Sequence, residues 1–309
     1  MTFQYLPLRF IFTASTSVSF PRILPGNAIR SALGCSLRRV ACASDCDDPD
    51  RCVRSDSCPY LCLFKPQLNK GPSGLRQPPR PFVLRARLLA GSQIASGQRF
   101  EFAMNVFDVQ RPVIRWLIEA FAEWAFDGQG PARSSTLLES VELRRPTTER
   151  QTIFADGELV CEVPEPAKLP IEISANPHAR RIRIDFLSPT ELKGDGSVLE
   201  RPEFAILVSR AFERANALST LYGDGQLPFD WSQLKAQAAL VKTVAIKGRH
   251  LAIRRTSRMT GVHPLGGFVG QAVYEGDVSV FVPLLRIAEV TGIGRQTVWG
   301  KGEIAVHVE

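Results

Sequence analysis

RRTSRMTGVHPLGGFVGQAVYEGDVSVFVPLLRIAEVTGIGRQTVWGKGEIAVHVE, residues 254–309, is the stretch on which the reading of this chain turns. Nine of the 23 glycines fall between Gly261 and Gly302, far more than an even spread would place there. A turn at Gly266, Gly267 and Gly270 opens a strand-like run from Phe268 to Tyr274. A helical stretch follows, with apolar Val280, Val282, Leu284, Leu285 and Ile287. A second turn, at Gly292 and Gly294, leads into a last strand with alternating Ile304, Val306 and Val308. Glycine exposes backbone N–H groups and lets another backbone come close. Two readings stand for these glycines: a cradle for a phosphate chain, or tight hairpins that need positive φ.

Upstream, the chain carries no Asp or Glu from Trp231 to Tyr274. The same window holds Lys235, Lys242, Lys247, Arg249, Arg254, Arg255 and Arg258, seven positive charges that equal the net charge of the whole chain, +7. A charge run is often a solvated face, but solvated faces mix signs. A one-signed field beside a Gly-rich turn is the footprint expected of a polyanion site.

The segment GGFVGQAVYEGDVSVFVPLLRIAEVTGIGRQTVWGKGEI resembles the C-terminal part of CRISPR repeat-processing endoribonucleases of the repeat-associated mysterious protein (RAMP) superfamily. LSPTELKGDG, RPEFAILVSRAFERANALSTLYGDG and DWSQLKAQAALVKTV are also similar to that family. So are PLRFIFTA, LPGNAIRSALGCSLRRVAC and RPFVLRARLL with FDGQGPARSSTLLESVE nearer the start. The C-terminal segment is specific, the others individually weak, and together they cover nearly the whole chain. The resemblance implies binding and cleavage of a precursor CRISPR RNA at its repeat hairpin, with a 2′,3′-cyclic phosphate and a 5′-hydroxyl as products. The partners to expect are then the precursor RNA and the mature guide RNA, with release or retention of the guide left open.

Three hundred and nine residues suit two domains, and 44% hydrophobic residues suffice for two cores. No apolar run is long enough to span a membrane. The N-terminus reads as a strand rather than a signal peptide, since Gln4 and Arg9 interrupt it. Seven cysteines, an odd number, point to a reducing cytoplasm. A sequence pI of about 9.2 points to an acidic partner.

Phe3, Tyr5, Leu6, Leu8, Phe10 and Phe12 predict a first strand. Ile29, Leu33, Leu37 and Val40 predict a helix over about 28–40, with Arg30, Arg38 and Arg39 on its other faces as RNA or solvent contacts. Strands are expected over 82–89, 99–107 and 136–143, with a helix over about 112–126. The order β-α-β-β-α-β is that of a split βαβ unit. A strand at 181–186, helices at 204–221 and 231–245, strands at 250–255 and 268–274, a helix at 278–290 and a strand at 303–308 repeat it with one helix added. The expected fold is thus α+β, two tandem ferredoxin-like (RRM-like) domains over 1–165 and 166–309. The first carries a Cys-rich insertion at about 42–65 and the second a Gly-rich loop.

In that insertion Cys42, Cys46, Cys52, Cys58 and Cys62 are spaced C-x3-C-x5-C-x5-C-x3-C. Thiolates this dense read as a structural zinc site or, second, an iron–sulfur cluster; buried free thiols are the alternative. No cofactor is expected for catalysis, because RNA brings its own 2′-hydroxyl nucleophile. The enzyme aligns it, moves two protons and stabilises charge. The family often keeps a histidine base near its first helix, and none lies there. His263, beside the Gly-rich turn, is the first candidate and His250 the second; His178 and His307 read as structural. Tyr5, Arg30, Lys247 and Arg255 are candidates for orientation and charge. Phosphate-loop, zinc-protease and nucleophile-elbow motifs are absent. The alternative to an endoribonuclease is a non-catalytic RNA-binding subunit of a CRISPR effector complex.

Overall fold

The computed structural model describes residues 1–42, 57–66, 78–127, 135–145, 150–172, 178–194, 196–257 and 261–309. Two compact units divide the chain: Gln4–Ala167 with Leu221–Gly223, and Met1–Phe3 with Lys168–Thr220 and Asp224–Glu309. The fold is mixed α and β.

In the first unit run β1 (Thr2–Ala14), β2 (Val18–Ser19), α1 (Pro25–Ala41), α2 (Pro59–Phe64), β3 (Phe82–Arg85), β4 (Gln93–Ile94), β5 (Arg99–Val106), α3 (Val113–Asp127), β6 (Thr136–Arg144), β7 (Arg150–Ala155) and β8 (Glu158–Leu159). The sheet order is β3-β5-β1-β6-β7-β8. Alternation along β1 buries Leu8, Phe10, Phe12 and Ala14 and leaves Arg9, Ile11 and Thr13 on the other face. Register sets Phe10 opposite both Phe102 and Val141. Phe121 and Trp124 of α3 close over these rings, the Phe10–Phe121 centroids 4.5 Å apart and those of Phe12–Trp124 4.9 Å. Each ring pair adds about 0.5–1.5 kcal/mol beyond burial. Helix α1 begins with a proline in its first turn and buries Ile29, Leu33 and Leu37 at a spacing of one turn. Gly34 leaves room for α2: a Cβ there would lie 2.9 Å from the Phe64 ring.

The second unit holds β10 (Arg181–Thr190), β11 (Lys193–Gly194), β12 (Ser197–Val198), α4 (Phe204–Tyr222), α5 (Trp231–Ala238), β13 (Lys242–Leu251), β14 (Arg254–Ser257), β15 (Gly261–Pro264), β16 (Gly267–Glu275), α6 (Val282–Thr291) and β17 (Ile304–Val308). Ahead of them runs β9 (Ala167–Pro170). The main sheet runs β13-β16-β10-β17. In both sheets the first long strand therefore lies between the third and the fourth, with the second on an edge. Ile182, Ile184, Phe186, Ala272, Tyr274, Ile304 and Val306 are buried. The ring of Phe204, on α4, lies 4.9 Å from that of Tyr274, whose hydroxyl donates to the Pro202 carbonyl at 2.6 Å.

One expected helix is corrected. The segment expected to be helical to Ala245 ends its helix at Ala238 and re-enters as β13 at Lys242. Val241, Thr243, Val244 and Ile246 are β-branched, and β16 offers them a ladder from Lys242 to Leu251. The strand expected over 250–255 is likewise split, between β13 and a separate hairpin of β14 and β15.

Candidate nucleic-acid interface

β13 is an edge strand, and nearly every residue on it is exposed. Register carries Lys247 opposite Gln271 of β16 and Gln271 opposite Asp185 of β10, so these three share a face. Arg249, opposite Val269, shares it too. His250, opposite Phe268, faces the other way, towards the helices. Lys242, Lys247, Arg249 and His250 form no ion pair among the described residues. Several arginines elsewhere on the two sheets are matched, Arg9 with Glu101 and Glu142, Arg99 with Glu139, Arg181 with Glu275 and Glu309, whereas Arg144 and Arg150 of the first sheet are not among the described residues. The cations of β13 are thus left to solvent or to a ligand.

The strand continues into a basic hairpin. β14 and β15 set Arg254 opposite Pro264 and Arg255 opposite His263. Arg258 lies outside the described residues. The Ile253 carbonyl accepts from the Leu265 amide at 2.8 Å, which joins this hairpin to the β13–β16 ladder.

The close approach that the glycines allow is met by the protein's own backbone. A Cβ on Gly266 would stand 1.9 Å from the Leu251 oxygen; on Gly267 (φ +153), 2.7 Å from Thr190 backbone; on Gly270 (φ +142), 2.3 Å from the Lys247 oxygen.

A groove of about 580 Å³ runs beside β13, lined by Glu200, Arg201, Glu203, Arg249, His250 and Phe268 among others. His250 is therefore exposed beside two arginines and two carboxylates. Sequence reasoning missed this grouping, because Glu200 and Glu203 lie outside the acid-free window and only the fold returns them to it. It also missed a pair on the opposite face, where His307 Nε2 lies 3.0 Å from Asp185 Oδ2. Strand alternation placed each residue, but the register that joins them is not written in either segment. His178 is exposed in a turn. Tyr5 is buried, and the Arg30 guanidinium sits 5.2 Å above the Phe64 ring. Arg39 reaches Glu123 at 3.5 Å, and Arg38 is exposed.

Of the five cysteines expected to bind metal, Cys46 and Cys52 lie outside the described residues. Cys58 and Cys62 are buried and Cys42 half-buried, with no disulfide among them. Among the described residues no group of three or more His, Cys, Asp or Glu could hold a metal ion. Nor is any described helix long and apolar enough to cross a membrane.

The second Gly-rich turn is fixed by a buried ion cluster. Glu191 accepts from Lys301 Nζ at 2.8 Å and from Arg295 at 2.6 Å, and Lys301 also donates to Gln296 at 3.0 Å. Burial raises the Glu191 carboxyl, but the pairs with Lys301 and Arg295 more than offset it and hold it below the usual range. Burial lowers the Lys301 ammonium.

The sequence pattern of an N-terminal-domain family, AF_1859_N, matches residues 3–166, more than half of the chain. That of CRISPR-associated endoribonuclease Cas6 matches residues 184–304. The chain belongs to the AF_1859_N family by its N-terminal domain, and its C-terminal part is similar to CRISPR-associated endoribonuclease Cas6. Among solved structures its fold is similar to Thermus thermophilus Cas6 (TTHB231) in a product complex, at 17% identity and TM-score 0.58, over 99% of this chain and 100% of that one. A Cas6 (TTHA0078) product complex is similar at 16% identity and TM-score 0.51, over 98% and 99%. A chain of a partial Cas6-RT-Cas1–Cas2 complex is similar at 12% identity and TM-score 0.56, over 99% of this chain and 46% of that one. No curated protein matches the chain.

Proposed function

We propose that this protein is a CRISPR RNA-processing endoribonuclease that binds the repeat hairpin of a precursor RNA, cuts it and keeps the mature guide. The observation that carries the reading is the set of cations on β13 that form no ion pair among the described residues, on a strand that runs into a hairpin whose sequence holds no acidic residue. Phosphates are the natural counter-charge for such a strip. Cas6 relatives solved in product complexes support it. The strand order of each sheet supports two ferredoxin-like (RRM-like) domains, 1–165 and 166–309.

In the proposed reaction the 2′-hydroxyl oxygen attacks the adjacent phosphorus as a base takes its proton. The bond to the 5′-oxygen breaks, and that oxygen receives a proton. A 2′,3′-cyclic phosphate and a 5′-hydroxyl result. The nucleophile belongs to the RNA, so the step calls for proton transfer and charge stabilisation rather than a metal. We place His250 first as the proton-transfer group, because it shares a groove with Arg201, which would stabilise the pentavalent phosphate. His263, opposite Arg255, comes second. Tyr5 and Arg30 fall behind, one buried and the other stacked on Phe64.

A second reading is a non-catalytic RNA-binding subunit of a CRISPR effector complex, favoured by the absence of histidine from residues 1–165. Similarity to a Cas6-RT-Cas1–Cas2 complex chain supports protein partners in either case. Structural zinc in the cysteine segment rests on spacing alone. Metal analysis of freshly reduced protein tests it, and finding neither zinc nor iron would remove it.

The deciding experiment incubates purified protein with a labelled repeat hairpin in EDTA. Cleavage to a cyclic phosphate supports the enzyme; tight binding without cleavage supports the second reading.

A further inference from the structure

Two carboxylates stand where the basic strand would lead one to expect none. Glu200 and Glu203 line the groove beside β13 with Arg201, Arg249 and His250, and both are exposed. Neither forms an ion pair among the described residues, although two arginines share the groove. Carboxylates repel phosphate, so an RNA drawn along Lys242, Lys247 and Arg249 on the open face and passing over the β13 edge into this groove must present something else there. The groups on RNA that seek a carboxylate are base N–H donors.

The groove holds about 580 Å³, within the range of small-molecule sites and large enough for one nucleotide. Of the four bases, guanine alone offers two adjacent donors, N1–H and the N2 amino group, on one edge. A single carboxylate accepts both in a parallel fork. Adenine and cytosine offer one amino donor beside an acceptor nitrogen, and uracil one N–H between two carbonyls, which a carboxylate repels. Single-stranded RNA is read in this way, with bases unstacked and met on their Watson–Crick edges.

We propose that the groove between β13 and the Glu200–Glu203 segment captures one unpaired guanine, read by Glu200 and Glu203, and that this base sets the position of the cut. The inference rests on the proposed reading of the chain as an RNA-processing enzyme, since His250 in the same groove supplies the chemistry next to the captured base. Arg201 in the groove and Arg249 on the other face of β13 take the flanking phosphates. Discrimination comes from the carboxylates and attraction from the cations, so the two can be separated by experiment.

The test measures binding of uridine hexamers in which one central position is uridine, guanosine, inosine or adenosine. The guanosine oligomer is expected to bind roughly tenfold or more tightly than the all-uridine one. Inosine, which lacks the N2 amino group, should lose most of that gain. The double variant Glu200→Gln, Glu203→Gln should bring the guanosine oligomer to the all-uridine level, with an unchanged melting temperature as the control for folding. Equal affinity for all four oligomers in the wild type overturns the proposal, as does a guanosine preference that survives the double variant. Failure of every oligomer to bind at low salt overturns the RNA-binding reading itself, and this proposal with it.

Discussion

The Nζ of Lys301 donates to the Oε2 of Glu191 at 2.8 Å, across 110 residues of chain, and both side chains are buried. This hydrogen bond ties the Gly-rich turn before β17 to the end of β10. Removing one partner of a buried pair costs about 3–5 kcal/mol where no other partner remains; in Lys301→Met, Arg295 still pairs with Glu191, so the loss is smaller than that. Lys301→Met should therefore lower the denaturation midpoint, and Lys301→Met with Glu191→Gln should recover part of the loss. The pH dependence follows from Glu191, whose folded carboxyl is held below its unfolded value. A lowered carboxyl contributes stability that is complete above the ordinary carboxylate range and lost as pH falls through the lowered value. Glu191→Gln should flatten that acid limb of the stability curve. An acid limb unchanged by the substitution would remove this pair as its source.

The cations of β13 yield a prediction in salt. Every phosphate that the protein no longer neutralises should reduce the slope of log affinity against log salt by roughly 0.7–0.9. Neutralising Lys242, Lys247 and Arg249 together should weaken binding of any repeat RNA at moderate salt and flatten this slope, with the fold intact. A slope equal to that of the wild type would take the strand out of the interface.

Gly270 offers a test of the β13–β16 ladder as the support of the basic strand. Its φ of +142 disfavours any side chain, and a Cβ would stand 2.3 Å from the Lys247 oxygen. Strain of this kind costs about 1–3 kcal/mol. Gly270→Ala should lower the melting temperature and, by moving β13 off β16, weaken RNA binding as well. A variant with both properties intact would show that the two strands can part at no cost.

The fold was legible where one element buries one face. Alternation in Phe3–Phe12 and the spacing of Ile29, Leu33 and Leu37 gave β1 and α1 with nearly their observed ends. The helix expected to run to Ala245 failed at its C-terminal end, because Leu240–Ile246 has no strong period and its state is decided by the ladder with β16, distant in sequence. The same limit applies to the site. The acid-free charge of residues 231–274 is local and could be read directly. The groove around His250 depends on Glu200 and Glu203 from another segment, and the Asp185–His307 pair depends on cross-strand register. The glycines marked close backbone approach correctly, but only the fold identifies Leu251, Thr190 and Lys247 as the backbones that approach.

The histidines carry the last prediction. His250 is exposed beside Arg201 and Arg249, whereas His307 is held by Asp185 on the opposite face of the sheet. If His250 transfers a proton, His250→Ala should lower single-turnover cleavage of a repeat RNA roughly a hundredfold or more, with binding nearly retained. The remaining activity should persist in EDTA. Cleavage should stop when the nucleotide before the scissile phosphate lacks its 2′-hydroxyl, whatever the protein variant. His307→Ala should cost at most about 1 kcal/mol, because the pair it breaks is partly exposed, and it should leave the cleavage rate within a few-fold of the wild type. Undiminished cleavage in His250→Ala transfers the role to His263 and its neighbour Arg255, tested in the same assay. A large loss in His307→Ala with unchanged melting would instead place the chemistry on the open face, beside Lys247 and Gln271, and would remove His250 from the mechanism.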